Sequence, residues 1–265
     1  MSTNTNAITG TCYVETNSSN LANVGQYTLQ DGSNLFDIAI IFAANINGTS
    51  EQPELFFNDT VTATLNSGAI ADLQAKGIKV LLSILGNHQE AGITTLTGNA
   101  PADFATQLSN AVTQYGLDGI DFDDEYSTGT TNESSFPLLI QSLRQQMPDK
   151  IISFYFYGPA TGTQSYNGIE VGDLINYSWN AIYGTFSAPF VPGLGDAYLA
   201  PAAVNIDPGA GSYTSPSRAA SLAQSTVDQG YGAYLYYNLT NNDSSAYLSQ
   251  VSQVLYGQNT VYLSG

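Results

Sequence analysis

Leu117–Tyr126, "LDGIDFDDEY", sets five acidic side chains within ten residues: Asp118, Asp121, Asp123, Asp124 and Glu125. Like charges this close repel, so their gathering needs a reason. A solvated acidic face would space its acids with polar residues, and here Ile120 and Phe122 do the spacing. Read as a strand over 119–125, the stretch alternates. Asp121, Asp123 and Glu125 share one face, climbing by roughly 6.6 Å per two residues. Ile120 and Phe122 share the other and pack outward. Such a strand fits a parallel barrel whose lumen holds the three carboxyls and whose outer face is covered by helices. Glu125 then lands at the C-terminal end of its strand, where barrel enzymes keep their chemistry. Three carboxyls stacked in a partly desolvated lumen cannot all ionise comfortably. At least one of them is expected to hold its proton, as a general acid must. Gly119 leaves room beneath the stack. Asp118 is expected at the turn before the strand, and Asp124, facing the other way, in a structural role. A D-x-D metal site is the rival chemistry; the EF-hand spacing is not met.

The flanks support the barrel. Strand-like runs lie at 11–15, 36–46, 78–85, 150–157, 176–184, 200–206 and 231–239, which with the acidic strand makes eight. "IKVLLSIL" (78–85) is nearly all apolar, as a strand buried on both faces should be. Helices are predicted over 60–76, closed by Gly77, and over 101–116, where Pro101 opens the first turn and Phe104, Leu108, Ala111, Val112 and Tyr115 form one stripe. Further helices are predicted over 134–147, 217–229 and 244–256. The stretch 184–200 has no helical period and reads as loop. The fold class is therefore α/β: a (β/α)8 TIM barrel in a single domain, 1–265, with some crossover helices replaced by loops and 1–10 as a disordered tail. A doubly wound open sheet is the alternative, but no G-x-G-x-x-G follows any strand.

Composition narrows the partners. Apolar residues make up 43% of the 265, enough for a sizeable core. Five basic residues face twenty-two acidic ones, which disfavours nucleic acid and anionic membrane surfaces. No apolar run reaches the ~18 residues of a membrane span. Only 10% of residues are charged, while Tyr and small polar residues abound, a surface suited to carbohydrate. The single cysteine, Cys12, rules out an internal disulfide and a Cys-based zinc cluster, and within "TCYVE" it reads as a buried, inert thiol. "MSTNTNAITG" has neither the basic nor the apolar region of a secretory signal. Neutral polar composition nonetheless favours an extracellular place of work, with the cytoplasm as the alternative. No cofactor or metal is called for, and a monomer is expected.

Asp118–Glu125, "DGIDFDDE", matches the D-G-x-D-x-D-x-E signature of glycoside hydrolase family 18. With "FDIAIIFAANIN", "GIKVLLSILGNHQ", "MPDKIIS" and "YGAYLYYNL", the chain resembles the endoglycosidase H group of endo-β-N-acetylglucosaminidases from about Tyr13 to Tyr256. Where chitinases of the family usually carry S-x-G-G on the third strand, this chain has Ser83-Ile84-Leu85-Gly86. The resemblance implies hydrolysis of the GlcNAc-β1,4-GlcNAc bond in the core of high-mannose or hybrid N-linked glycans or glycoproteins. Chitinase and a non-catalytic glycan binder of the same family are the alternatives. The family is known for substrate-assisted catalysis. By resemblance, Glu125 is the acid/base, Asp123 orients the substrate's acetamido group, and Asp121 shares a proton with Asp123. Asn180 and Tyr183 are candidates to flank that acetamido group, with Tyr183 otherwise core. Trp179 is a sugar platform or barrel core. Asn45, Asn87, His88, Tyr236 and Asn238, at strand C-terminal ends, are candidate substrate contacts. A lone histidine cannot build a His-based metal cluster.

Overall fold

A computed structural model describes residues 8–263. Six parallel strands run in chain order: β1 (Thr9–Glu15), β2 (Ile38–Gly48), β3 (Lys79–Gly86), β4 (Gly119–Asp123), β5 (Ile151–Phe156) and β6 (Tyr177–Asn180). Pro201 breaks the seventh stave into β7 (Leu199–Ala200) and β8 (Ala202–Asn205), and β9 (Ala233–Tyr237) is the eighth. β7 pairs with β6, while β8 pairs with β9 and β9 with β1. The two ends of the ladder are thus consecutive pieces of one stretch, and the sheet returns on itself. Pro lacks the N–H a ladder requires, so a break falls where it stands.

Helices α1 (Asp59–Leu65), α2 (Ala69–Ala75), α3 (Ala100–Tyr115), α4 (Ser135–Gln146), α5 (Pro216–Gln229) and α6 (Ser245–Tyr256) cover the outer face. Ile120 and Phe122 of β4 pack into the layer between sheet and helices, with Phe104, Leu108, Phe136 and Leu139. A separate cluster, including Tyr13, Ile40, Leu81, Tyr155, Trp179 and Leu235, fills the lumen. The crossovers β1–β2, β5–β6 and β6–β7 use short 3-10 turns and hairpins in place of α-helices.

Three expectations need correction. The helix predicted over 60–76 is two helices, because Asn66, Ser67 and Gly68 break it. Asn66 turns both its backbone N–H and its side-chain amide onto the Thr62 carbonyl, and Gly68 follows at φ +83°. Ile8, Thr9 and Gly10 belong to the fold and not to a tail. Thr9 and Gly10 pair with Ala233 and Tyr234, and Tyr256 Oη donates to the Ile8 carbonyl; the rest of that tail lies outside the described residues. The acidic strand stops at Asp123, two residues short of the predicted end. From there the chain pairs elsewhere: Thr128 N–H donates to the Gln89 carbonyl.

Candidate active site

At the C-terminal end of the barrel a cavity of about 460 Å³ opens above β4. Asp123 and Glu125 line it with Tyr126, Tyr155, Tyr183 and Tyr237, and Glu15 and Asn45 line it from the β1–β2 side. Alternation along β4 produces this arrangement, turning Asp121 and Asp123 inward while Ile120 and Phe122 turn out.

Asp121 is fully buried and saturated. Tyr13 Oη (2.7 Å) and Ser83 Oγ (2.8 Å) donate to its Oδ2, and Ser153 Oγ (2.6 Å) and Trp179 Nε1 (3.0 Å) to its Oδ1. Burial pushes this carboxyl up, and the four hydrogen bonds pull it down without cancelling the rise. Four side chains thus occupy the acceptor sites of the Asp121 carboxyl. The carboxyl hydrogen-bonded to Asp123 is Glu125, and Asp121 acts on Asp123 through its charge.

Asp123 is the opposite case. It is 3% exposed, and no N–H or O–H of the protein reaches its Oδ1. Burial first, then the charges of Glu125, Asp121 and Asp124, push its carboxyl well above the usual range, and it shares a hydrogen bond with Glu125. The stack raises both buried carboxyls, Asp123 further than Asp121.

Tyrosines form the facing wall. Tyr155 Oη lies 2.7 Å from the Ala181 carbonyl and 3.3 Å from Tyr183 Oη. One hydroxyl proton cannot serve both, and the shorter contact takes it. Burial holds the Tyr183 phenol well above its usual value, so it keeps its proton and can give it to a ligand. Its ring stacks on Tyr237 at 4.9 Å and 15°.

The other predicted residues divide. Asn45 lines the cavity, its amide 3.3 Å from the Leu85 carbonyl. Asn180 does not line the cavity: its amide donates to the Pro201 carbonyl (2.8 Å) and Thr185 Oγ1 (3.0 Å), and its Oδ1 accepts from Ile182 N (3.0 Å). It pins the β6–β7 connection. Trp179 is fully buried lumen core, stacked on Tyr177, with its indole N–H committed to Asp121. Tyr236 points out of the lumen against Phe36 and Tyr234, because it sits one step from the inward Tyr237. Asn238 is buried beside the cavity, 3.3 Å from Glu15 Oε2. Asn87 bonds Asn47 Oδ1 at 2.8 Å, and exposed His88 leans on Tyr126 with ring centres 5.1 Å apart; neither lines the cavity. Asp118 ties β3 to β4, accepting from Val80 N (2.9 Å), Gln74 Nε2 (2.8 Å) and Lys79 Nζ (3.1 Å). Sequence reasoning missed Tyr155, Tyr237, Ser83 and Ser153. All four were legible, since alternation on "SFYFY" and its sister strands marks them as inward.

A model of the family "Glycosyl hydrolases family 18" matches residues 10–182, the span from β1 through the acidic ladder to the end of β6. The chain belongs to glycosyl hydrolase family 18. Among its relatives, an endo-beta-N-acetylglucosaminidase of Flavobacterium sp. (strain SK1022) is 49% identical, over 96% of this chain and 82% of that protein. Endo-beta-N-acetylglucosaminidase F1 of Elizabethkingia meningoseptica is 30% identical, over 97% and 83%. EndoBT-3987 of Bacteroides thetaiotamicron, solved with Man9GlcNAc2Asn substrate, superposes with a TM-score of 0.83 at 26% identity, covering 97% of this chain and 67% of that one. With Man5GlcNAc product the figures are 0.83 and 27%, and this chain spans 62% of that chain's length. A family 18 chitinase from Pseudoalteromonas aurantia, at 19% identity and a TM-score of 0.64, shares the fold.

Proposed function

We propose that this chain is an endo-β-N-acetylglucosaminidase that cuts the GlcNAc-β1,4-GlcNAc bond in the core of N-linked glycans, with high-mannose and hybrid glycans as substrates. The observation that carries the reading is Asp123 Oδ1, a buried acceptor with no protein donor at the floor of the cavity, beside Glu125. A buried acceptor without a partner costs about 1–3 kcal/mol. A substrate acetamido N–H placed there would remove that cost and turn the acetamido oxygen toward C1. Tyr183, on the facing wall, supplies the hydroxyl that holds this oxygen.

The steps follow from those positions. Glu125 delivers a proton to the glycosidic oxygen as that bond to C1 breaks. The acetamido oxygen bonds to C1 from the other face, giving an oxazolinium ion, and Asp123 stabilises the positive charge on its nitrogen. Glu125 then takes a proton from water as the water opens the ring at C1. Two displacements at C1 give net retention. Asp121, clamped by four side chains, raises the Asp123 carboxyl by its charge, and the hydrogen bond of Asp123 runs to Glu125. The names of the relatives and their glycan complexes agree with this reading.

Digestion of a high-mannose glycoprotein tests it by product mass. A single GlcNAc should stay on Asn, and Glu125→Gln should slow release by at least about 100-fold. Removal of the whole glycan, or an unimpaired Glu125→Gln enzyme, would refute it.

A further inference from the structure

Glu125 lies beyond the last residue of β4, on a loop, yet an acid catalyst must be held to within about 0.5 Å of its productive position. The side chain that fixes this loop is its neighbour, Asp124. Half-buried and turned away from the cavity, Asp124 accepts from Ile93 N at 2.8 Å through Oδ2. Its Oδ1 accepts from Ser127 Oγ at 2.5 Å and Ser127 N at 3.3 Å. Ser127 Oγ also reaches the Ala91 carbonyl at 2.9 Å. One carboxylate therefore joins the two ends of the acid-bearing segment 124–127 to the separate segment 91–93.

Glycines make the socket. A Cβ on Gly86 would collide with Asp124 Oδ1, one on Gly92 with the Ser127 side chain, and one on Gly129 with the Glu90 carbonyl. The segment 89–91 is tied in turn to the end of β2: Gly48 N donates to Gln89 Oε1 at 2.7 Å, and Ala91 N to the Gly48 carbonyl at 3.1 Å. Through Asp124, the loop carrying Glu125 is moored to two barrel strands and cannot shift alone.

We propose that Asp124 is a positioning residue for Glu125, required for the protonation of a poor leaving group and dispensable when the leaving group needs no proton. The proposal rests on Glu125 acting as the acid, and its test separates the two claims. Glycan release from a high-mannose glycopeptide is compared with hydrolysis of a nitrophenyl β-glycoside of the same oligomannose–GlcNAc glycone. A nitrophenolate departs as the anion; a sugar hydroxyl must be protonated as its bond to C1 breaks.

In Asp124→Ala, kcat on the glycopeptide should fall about 100-fold with KM little changed, the cost of an ångström-scale misplacement. On the nitrophenyl substrate the loss should be only a few-fold. Asp124→Asn, which keeps one acceptor oxygen, should recover part of the lost rate. If Asp124→Ala proves too unstable to assay, Ser127→Ala removes one donor, and its smaller loss should show the same dependence on leaving group. Equal losses on both substrates, or no loss on the glycopeptide, would overturn the proposal. A wild-type enzyme that cleaves the nitrophenyl glycoside but leaves the glycopeptide intact would refute the reading of substrate instead.

Discussion

Asp121 and Asp123 are the same residue type, two positions apart on one strand, and their surroundings give them different work. Asp121 has four donors and no cavity; Asp123 has a cavity, a neighbouring carboxyl and an empty acceptor. Ser153→Ala takes one partner from a buried carboxyl oxygen, so it should lower unfolding free energy by about 1–3 kcal/mol, read from the midpoint of chemical denaturation. An unchanged midpoint would mean that this hydrogen bond does not hold the ladder. Tyr183→Phe removes only the hydroxyl proposed to hold the acetamido oxygen, and kcat should fall about 100-fold or more, as when one oxyanion donor is lost. A drop confined to KM would demote Tyr183 to a packing residue. The direction of each β4 side chain was legible in the sequence, because alternation along a strand is rigid. The fate of Asn180 and Trp179 was not. Asn180 meets its partners, Pro201 and Thr185, only once the β6–β7 connection closes, and the Trp179 partner is 58 residues away.

Element ends were the least legible. Composition over 60–76 supports one helix, and the competition of Asn66 and Ser67 for backbone groups, with Gly68 in the left-handed region, splits it. The end of β4 was likewise hidden, since nothing in "DFDDE" tells where pairing with β3 gives way to the Asp124 socket. Strand packing was plainer, although Gly119 proves to serve a different purpose from making room beneath the acids. A Cβ there would run into the Ile151 carbonyl of β5, so the two backbones meet directly at the foot of the acidic strand. Gly119→Ala should therefore part β4 from β5 and cost about 3 kcal/mol or more, at the upper end of overpacking losses. Thermal unfolding compared with wild type measures this, and a variant as stable as wild type would disprove the close approach.

The whole molecule carries a formal net charge of −17 at pH 7, and among the described residues Lys79–Asp118 is the single salt bridge. Self-repulsion on that scale weakens the folded state near neutrality. The buried acids act in the same direction. Asp121, Asp123 and Asp124 have raised carboxyls in the fold, so over the range between the unfolded and folded values the native state binds more protons than the unfolded one. The stability they lend is full below the unfolded value near 3.9 and is lost as pH rises through the folded values. Asp118, held low, works oppositely and gives up its contribution as the solution turns acid. Melting temperature should therefore rise from pH 8 toward about pH 5, and also rise with salt near neutrality as repulsion is screened over roughly 8 Å at physiological ionic strength. A melting temperature that falls over the same interval would contradict this balance.

In the proposed reaction the protein supplies the acid and the substrate's own acetamide supplies the nucleophile. Stepwise replacement of the N-acetyl methyl hydrogens by fluorine in the sugar held above Asp123 tests it most directly, because fluorine drains the amide oxygen of electrons and leaves the protein unchanged. The expected result is that kcat/KM falls steeply with each fluorine. A rate that barely changes across the series would mean that a carboxylate of the enzyme attacks C1, and the assignment of Asp123 would fail.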